Sequence, residues 1–181
     1  VLIIPADLVP QDSELSKHYL AVSSNFDPAI ITSINTDEKV IALTFDDGPD
    51  ARYTPEVLKI LAEYQVIATF FVVGEDATLN PDIIAEQIKA GHEVENHSFT
   101  HPDLLKKNDL TINEEILWCH EAIASLTGRE PLYFRPPRGL YNLDIVKLAG
   151  IYGYQVVLWT VCLENRLAPT PKAMAQRVVK K

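Results

Sequence analysis

The sequence predicts an α/β fold built on parallel strands, and three observations carry that prediction. From Val40 onward, short apolar runs alternate with helix-length amphipathic segments five times. Strand–helix repetition of this kind joins parallel strands through crossovers. The segments are closed or opened by strong local signals, among them Gly74, Asn80-Pro81, Gly91, Gly128 and Thr170-Pro171. Finally, Asp46, Asp47, His97, Arg135 and the segment after Trp159 all fall at strand C-terminal ends, where α/β folds collect their ligand sites. The strand count fits either an open doubly wound sheet or an incomplete (β/α) barrel.

Residues 1–38 read as an N-terminal extension packed on a main domain of residues 39–181. Within the extension, Leu2–Ile4 and Ala29–Ile34 have strand character, Gln11–Val22 has helical character, and His18 is a surface residue. The main domain opens with Val40-Ile41-Ala42-Leu43, an apolar run expected as a buried strand. That strand stops at Asp46-Asp47, and Gly48-Pro49 turns the chain. Thr54 as N-cap and Pro55 at the first helical position start a helix with Val57, Leu58, Ile60 and Leu61 on its apolar face. Val66–Val73 is a dense apolar strand closed by Gly74. Asn80-Pro81 caps the next helix, which turns Ile83, Ile84 and Ile88 inward and ends before Gly91. His92–Asn96 is a short strand.

Thr111-Ile112-Asn113-Glu114 has the form of a capping box and starts a helix to Leu126, stopped by Gly128. Leu132–Arg135 is a fourth strand, Asn142 opens a helix ending before Gly150, Gln155–Val161 is a fifth strand, and a last helix runs from Thr170-Pro171 to Lys181. The chain has no internal repeat and no low-complexity segment.

Composition narrows the function. The 181 residues suit one domain with a sizeable core, and 47% hydrophobic with 23% charged residues is ordinary for a globular protein. A net charge of -9 argues against nucleic acid or an anionic membrane as the main partner. No apolar run approaches the roughly 20 residues needed to span a bilayer. The start at Val1, without Met or a basic stretch, is expected to be a processed or trimmed end, with any signal or anchor lying upstream. Cys119 and Cys162 form neither a zinc-ribbon pattern nor a disulfide framework, and Cys119 reads as a core thiol.

Two adjacent acids at a strand mouth, Asp46 and Asp47, need a cation beside them, and a metal ion is one such cation. Alone, Asp-Asp-Gly is a common turn. His97-Ser98-Phe99-Thr100-His101 adds two imidazoles four residues apart, which face one way if the segment takes one helical turn. Paired histidines at this spacing often hold zinc or a similar ion. His120, mid-helix, reads as structural, and His92, at a strand start, as a packing residue. In Arg135-Pro136-Pro137-Arg138-Gly139 the prolines stiffen the backbone and remove two N–H groups, so the Arg138 N–H is the first free donor after a rigid segment. A fixed donor beside a metal suits a developing oxyanion, and Arg135 can pair with a carboxylate at the bottom of the site.

Together TFDDGP, HSFTH and RPPRG, in that order and each at a strand end, resemble the first three motifs of the polysaccharide deacetylases. These are the NodB-like enzymes of carbohydrate esterase family 4. The resemblance covers Thr36 to the end of the fifth strand, and GHEVENHSFTHPDL and YFRPPRGLYN match throughout. It implies an irregular, incomplete (β/α) barrel of parallel strands. It further implies that Asp47, His97 and His101 bind a divalent metal, zinc or else cobalt. Asp46 would be the general base, Arg135 its orienting partner, and the Arg138 N–H an oxyanion donor. The implied reaction is hydrolysis of N-acetyl or O-acetyl groups on a cell-wall or extracellular polysaccharide of peptidoglycan or chitin type, by a secreted or envelope-associated protein.

Three departures stand out. Arg138 replaces the family's usual aromatic residue, which makes the cleft wall cationic. Asn165-Arg166 stands where the family has Asp-Trp. The family's last motif, Leu-x-His with a general-acid histidine, is expected beyond Lys181, in a further strand that the final helix leads into. These departures keep a second reading open, that of a weak or inactive glycan-binding relative.

Overall fold

The structure, a computed structural model, describes residues 30–38, 40–162 and 170–179. Leu2–Ile4, Gln11–Val22, His18 and Asn165-Arg166 lie outside them. Six strands form one sheet: β1 (Ile30–Ile31), β2 (Thr44–Gly48), β3 (Thr69–Val72), β4 (Glu93–Asn96), β5 (Tyr133–Phe134) and β6 (Gln155–Val157). Their order is β1-β6-β5-β4-β3-β2, and every adjacent pair is parallel. The helices are α1 (Tyr53–Tyr64), α2 (Gly74–Leu79), α3 (Pro81–Lys89), α4 (Asp109–Thr127), α5 (Leu143–Ile151) and α6 (Pro171–Val179).

The strand–helix alternation expected from the sequence is therefore present, with shifted bounds. The first long strand starts later than its apolar run. Val40 and Ile41 are exposed, and pairing begins at Thr44 and runs through the two aspartates to Gly48. Backbone pairing with β3, not side-chain hydrophobicity, sets that limit. The helix after it is started by Asp50, not Thr54: Asp50 Oδ1 accepts from the Arg52 and Tyr53 N–H groups at 2.8 Å each, while Thr54 Oγ1 accepts from the Asp50 N–H. Asn108, not Thr111, caps α4, its Oδ1 accepting from Thr111 N at 2.9 Å. Asn142 caps α5 as expected, accepting from Ile145 N. Helix α2, where only a stop at Gly74 was expected, is an addition.

The helices bury one face of the sheet. Phe70, Val72 and Val94 pack with Leu58, Leu61 and Ile84 in one cluster, and Phe134 and Val156 pack with Ile145, Leu148 and Tyr154 in a second. Helix α4 serves both, giving Cys119 and Ile123 to the first and Ile112 and Ile116 to the second. Cys119 is the buried thiol expected, and burial pushes its pKa up to about 12. The β4–β5 pairing is short, and the Glu95 carboxylate extends it by accepting from the Leu132 and Tyr133 N–H groups. Burial raises the Glu95 pKa to about 7 in spite of those bonds.

The other face is concave. Strands β5 and β2 are three places apart in the sheet, about 14 Å if the sheet were flat, beyond the reach of one arginine side chain. Yet Arg135, directly after β5, bonds Thr44 Oγ1 at 2.9 Å and Asp46 Oδ1 at 2.5 Å on β2. On its other side it bonds the Val157 and Leu158 carbonyls. The sheet is thus curled around Arg135, and among the described residues β1 and β2 are its two edges, as in an incomplete (β/α) barrel. No described helix is long and apolar enough to cross a membrane.

His92 and His120 are both core residues. His92 Nδ1 accepts from the Ala68 N–H at 3.2 Å, and its ring meets Phe70 edge-on. His120 lies between the Tyr154 hydroxyl and Glu130. Burial lowers the His92 pKa below the ordinary 6.5, since the charged ring would lose its hydration there. The unfolded chain then binds more protons than the folded one just below that value, so stability is present above pH 6.5 and falls on acidification. His120, also lowered by burial first, adds to the same fall. Replacing His92 by Asn, whose side-chain oxygen supplies a similar acceptor, is expected to shrink the loss of melting temperature between pH 7.5 and 5. An unchanged loss, measured by thermal denaturation, would remove His92 from this account.

Candidate active site

The site is built at the C-terminal end of the sheet, and its first element is a distortion of β2. Between Phe45 and Gly48 the register with β3 slips by one residue, and Asp47 takes a left-handed φ of 66°. A regular strand would send Asp46 and Asp47 to opposite faces. The bulge re-aims Asp47, so that it meets the histidines while Asp46 stays inward on Arg135.

The histidine segment is not the single helical turn considered from its spacing. Ser98 and His101 have φ of 67° and 55°, and Gly74 N and Glu75 N, at the start of α2, donate to the carbonyls of Ser98 and Phe99. Gly74 is needed there, since a Cβ would lie 2.5 Å from the Phe99 ring. Buried Glu115 on α4 accepts from Phe99 N, Thr100 N and Thr100 Oγ1 at 2.9, 2.7 and 2.5 Å. Asn96 Oδ1 accepts from Ser98 N, and Ser98 Oγ from His101 N. These clamps turn the two imidazoles together, with ring centroids 5.0 Å apart. Sequence reading missed Glu115 and Asn96. A buried acid on a helix next to a loop rich in N–H donors is the signal that would have found Glu115.

Asp47, His97 and His101 converge. Asp47 Oδ1 lies 3.2 Å from His97 Nε2 and 3.1 Å from His101 Nε2, and one donor atom from each residue lies within 4.8 Å of the others. Donors about 2.1 Å from a shared ion at tetrahedral angles would stand roughly 3.4 Å apart, close to what is seen. The tautomer sharpens this. His97 is buried, and its Nδ1 lies 2.6 Å from the Arg135 carbonyl, which can only accept. A neutral His97 therefore carries its proton on Nδ1 and turns a bare lone pair on Nε2 toward the Asp47 carboxylate. Two facing lone pairs call for a cation between them, and the residues fit a divalent metal. With both ring nitrogens of His97 protonated instead, its Nε2–H would bond the Asp47 carboxylate and hold that carboxyl below its ordinary pKa. Burial lowers that of His101.

Arg135 is almost fully buried, and its guanidinium also lies 3.9 Å from the Phe71 ring centroid. Arg138, three residues on, is exposed with φ of 59°. The turn bonds in this segment run from Gly139 N to Pro136 O and from Leu140 N to Pro137 O, and no described acceptor takes the Arg138 N–H.

Comparison with known proteins agrees with this geometry. Residues 33–157 match the family model described as polysaccharide deacetylase. The chain is 42% identical over 128 residues to the peptidoglycan-N-acetylmuramic acid deacetylase PdaA of Bacillus subtilis, covering 70% of this chain and 49% of that protein. It is 35% identical over 153 residues to the peptidoglycan-N-acetylglucosamine deacetylase PgdA of Listeria monocytogenes, 84% of this chain but 32% of that one. Among solved structures, a family 4 carbohydrate esterase pseudoenzyme from Bacillus anthracis superposes with a TM-score of 0.80 at 29% identity, covering 86% of this chain and 56% of that one. A family 4 carbohydrate esterase from Streptomyces lividans, in complex with acetate, superposes with a TM-score of 0.74 at 34% identity, covering 78% and 73%. The chain thus spans about half the length of the curated relatives it matches. A curled parallel sheet, an Asp-His-His cluster at its C-terminal end and a family match over residues 33–157 place the chain in the polysaccharide deacetylase family.

Proposed function

We propose that the protein hydrolyses acetyl groups, N-acetyl before O-acetyl, on a cell-wall polysaccharide of peptidoglycan type, outside the cell or in its envelope. The observation that carries this is the facing lone pairs of Asp47 and His97 beside an Asp46 held by Arg135. Asp47, His97 and His101 would hold the metal, zinc first and cobalt as the alternative. When bound, such an ion polarises the acetyl carbonyl and acidifies water within its reach. Asp46 takes the proton of the attacking water. Its Oδ1 is fixed by Arg135, which leaves the second oxygen for that task. The rigid Arg138 N–H donates to the carbonyl oxygen as negative charge grows on it. The water oxygen bonds to the acetyl carbon, the C–N bond breaks as the nitrogen takes up the proton that Asp46 removed from the water, and acetate leaves.

A second reading, a weak or inactive glycan-binding relative, has one observation in its favour. Both described histidines other than the proposed ligands, His92 and His120, are buried and engaged in the core, so neither can protonate the leaving amine. One structural neighbour, from Bacillus anthracis, is itself a pseudoenzyme. Acetate release from peptidoglycan and from N-acetylglucosamine oligomers, with zinc or cobalt added, separates the two readings. Asp46→Asn is expected to lower the rate by about 100-fold or more. Equal, background-level release from both proteins would leave the binding role.

A further inference from the structure

The turn that carries the candidate ligands is tied to the protein surface by a chain of hydrogen bonds through the core. Asn96, the last residue of β4, is fully buried, and backbone groups fix its amide at both ends. Its Oδ1 accepts from the Ser98 N–H at 2.9 Å, and its Nδ2 donates to the Ile116 carbonyl at 2.9 Å. The second Nδ2 hydrogen goes to the Tyr154 hydroxyl oxygen, also at 2.9 Å. That hydroxyl then turns its own hydrogen to His120 Nδ1 at 2.7 Å. His120 Nδ1 is therefore bare, and the neutral ring carries its proton on Nε2, which donates to Glu130 Oε2 at 2.5 Å. Tyr154 and His120 are buried, whereas Glu130 is exposed. At the inner end Ser98 Oγ accepts from the His101 N–H at 3.1 Å, so the chain runs from a surface acid to a candidate ligand.

We propose that Tyr154 and His120 are positioning residues for the Asp47-His97-His101 site, which they hold in shape only while His120 is neutral. The inference rests on the metal-dependent deacetylase reading above and names a regulation of its site. Donor counting gives the reason. A second proton on His120 would sit on Nδ1 and meet the Tyr154 O–H head-on. Among the described residues that hydroxyl has no partners but Asn96 and His120. Its hydrogen would either lose its acceptor or turn against the Asn96 amide, and both are costly in a buried place. Asn96 is what braces Ser98, whose left-handed φ of 67° persists only while its surroundings enforce it. The titratable groups around His120 are Glu130 from the loop before β5, Tyr152 and Tyr154 from the turn before β6, and Glu121 on α4 itself. Burial keeps both tyrosines from ionising near neutrality, and Tyr152 gives its hydrogen to Asn113. The two acids favour the charged ring, but burial outweighs them.

The test follows the His120 imidazole by NMR as pH is lowered, without and with zinc, and measures zinc affinity by chelator competition over the same range. Zinc is expected to lower the His120 pKa by about one unit, which by linkage means about tenfold weaker zinc binding once His120 is charged. Tyr154→Phe keeps the ring but breaks the chain. It should weaken zinc binding about tenfold near neutral pH and abolish the zinc-induced shift of His120. His120→Asn keeps an acceptor for the Tyr154 hydroxyl but cannot titrate. Its affinity near neutral pH should stay within about twofold of the unaltered protein, and its fall on acidification should be several-fold smaller. Zinc affinity unchanged in Tyr154→Phe, or a zinc-induced shift that survives it and so acts through space, would overturn the proposal. Should Tyr154→Phe not fold, exposed Glu130→Gln decides. Removing that charge lowers the His120 pKa, so the acid fall of zinc affinity should move to lower pH, and a fall at the original pH would overturn the proposal. If the coupling holds and no acetate is released, the deacetylase reading fails and the positioning role stands.

Discussion

Replacing Arg135 by methionine should lower the melting temperature by about 6–20 °C and remove activity together with stability. Methionine keeps much of the volume but none of the bonds. The guanidinium is the only described group joining β2 to the β5–β6 side across the concave face, through Thr44, Asp46, Val157 and Leu158. Its loss leaves the Asp46 carboxylate, itself only a quarter exposed, without its cation. Breaking a buried ion pair from one side costs about 3–5 kcal/mol, and in a chain of this size each kcal/mol moves the midpoint by about 2–4 °C. Thermal denaturation checks the first effect. Pairing the change with Asp46→Asn separates the terms, because the orphaned charge is then gone. The double variant is expected to be more stable than Arg135→Met alone. If Arg135→Met melts within about 2 °C of the unaltered protein, the crossbar is not what holds the curl.

Replacing Glu115 by alanine should weaken metal binding about 10- to 100-fold without touching any proposed ligand. Glu115 fixes the Phe99-Thr100 backbone through three hydrogen bonds, and these two residues lie between His97 and His101. Both ligand positions are reached through left-handed residues, Ser98 and His101. A freed loop would relax toward commoner backbone angles and carry the imidazoles apart. Glu115→Gln should keep most of the affinity, since one side-chain oxygen can still accept both N–H groups and the Thr100 hydroxyl can turn to accept from the amide. Zinc affinity by chelator competition, and the absorption spectrum of a cobalt-loaded sample, read this directly. Were Glu115→Ala to bind zinc as tightly as the unaltered protein, the loop would have to be held by Asn96 and α2 alone.

Much of this site was legible in the sequence because its parts are local. Each motif sits where an apolar run ends, so Asp46, Asp47, His97 and Arg135 were all placed at strand C-termini, as the sheet shows. His92, His120 and Cys119 were assigned to the core by their positions in regular segments, and all three are buried. The reading was poorer where backbone pairing overrode side-chain pattern. Val40 and Ile41 are apolar enough for a buried strand, but pairing begins at Thr44 and leaves both exposed. Thr111 and Thr54 have the chemistry of helix caps, yet Asn108 and Asp50 are the residues whose side-chain oxygens reach the free N–H groups. Helix α2 was invisible because six residues are too few to show a period.

The sequence by itself determined which residues are the candidates for the chemistry and at which end of the sheet they stand, because strand polarity and motif order are properties of the chain. How those residues meet was decided only in three dimensions. The bulge at Asp47 overturns the alternation that would have parted it from Asp46, and two left-handed residues do for the histidines what a helical turn was expected to do. Both depend on partners far away in the chain: β3 for the first, α2 and Glu115 for the second. A strained backbone angle persists only when surrounding bonds outweigh its cost, and no local window of sequence contains those bonds.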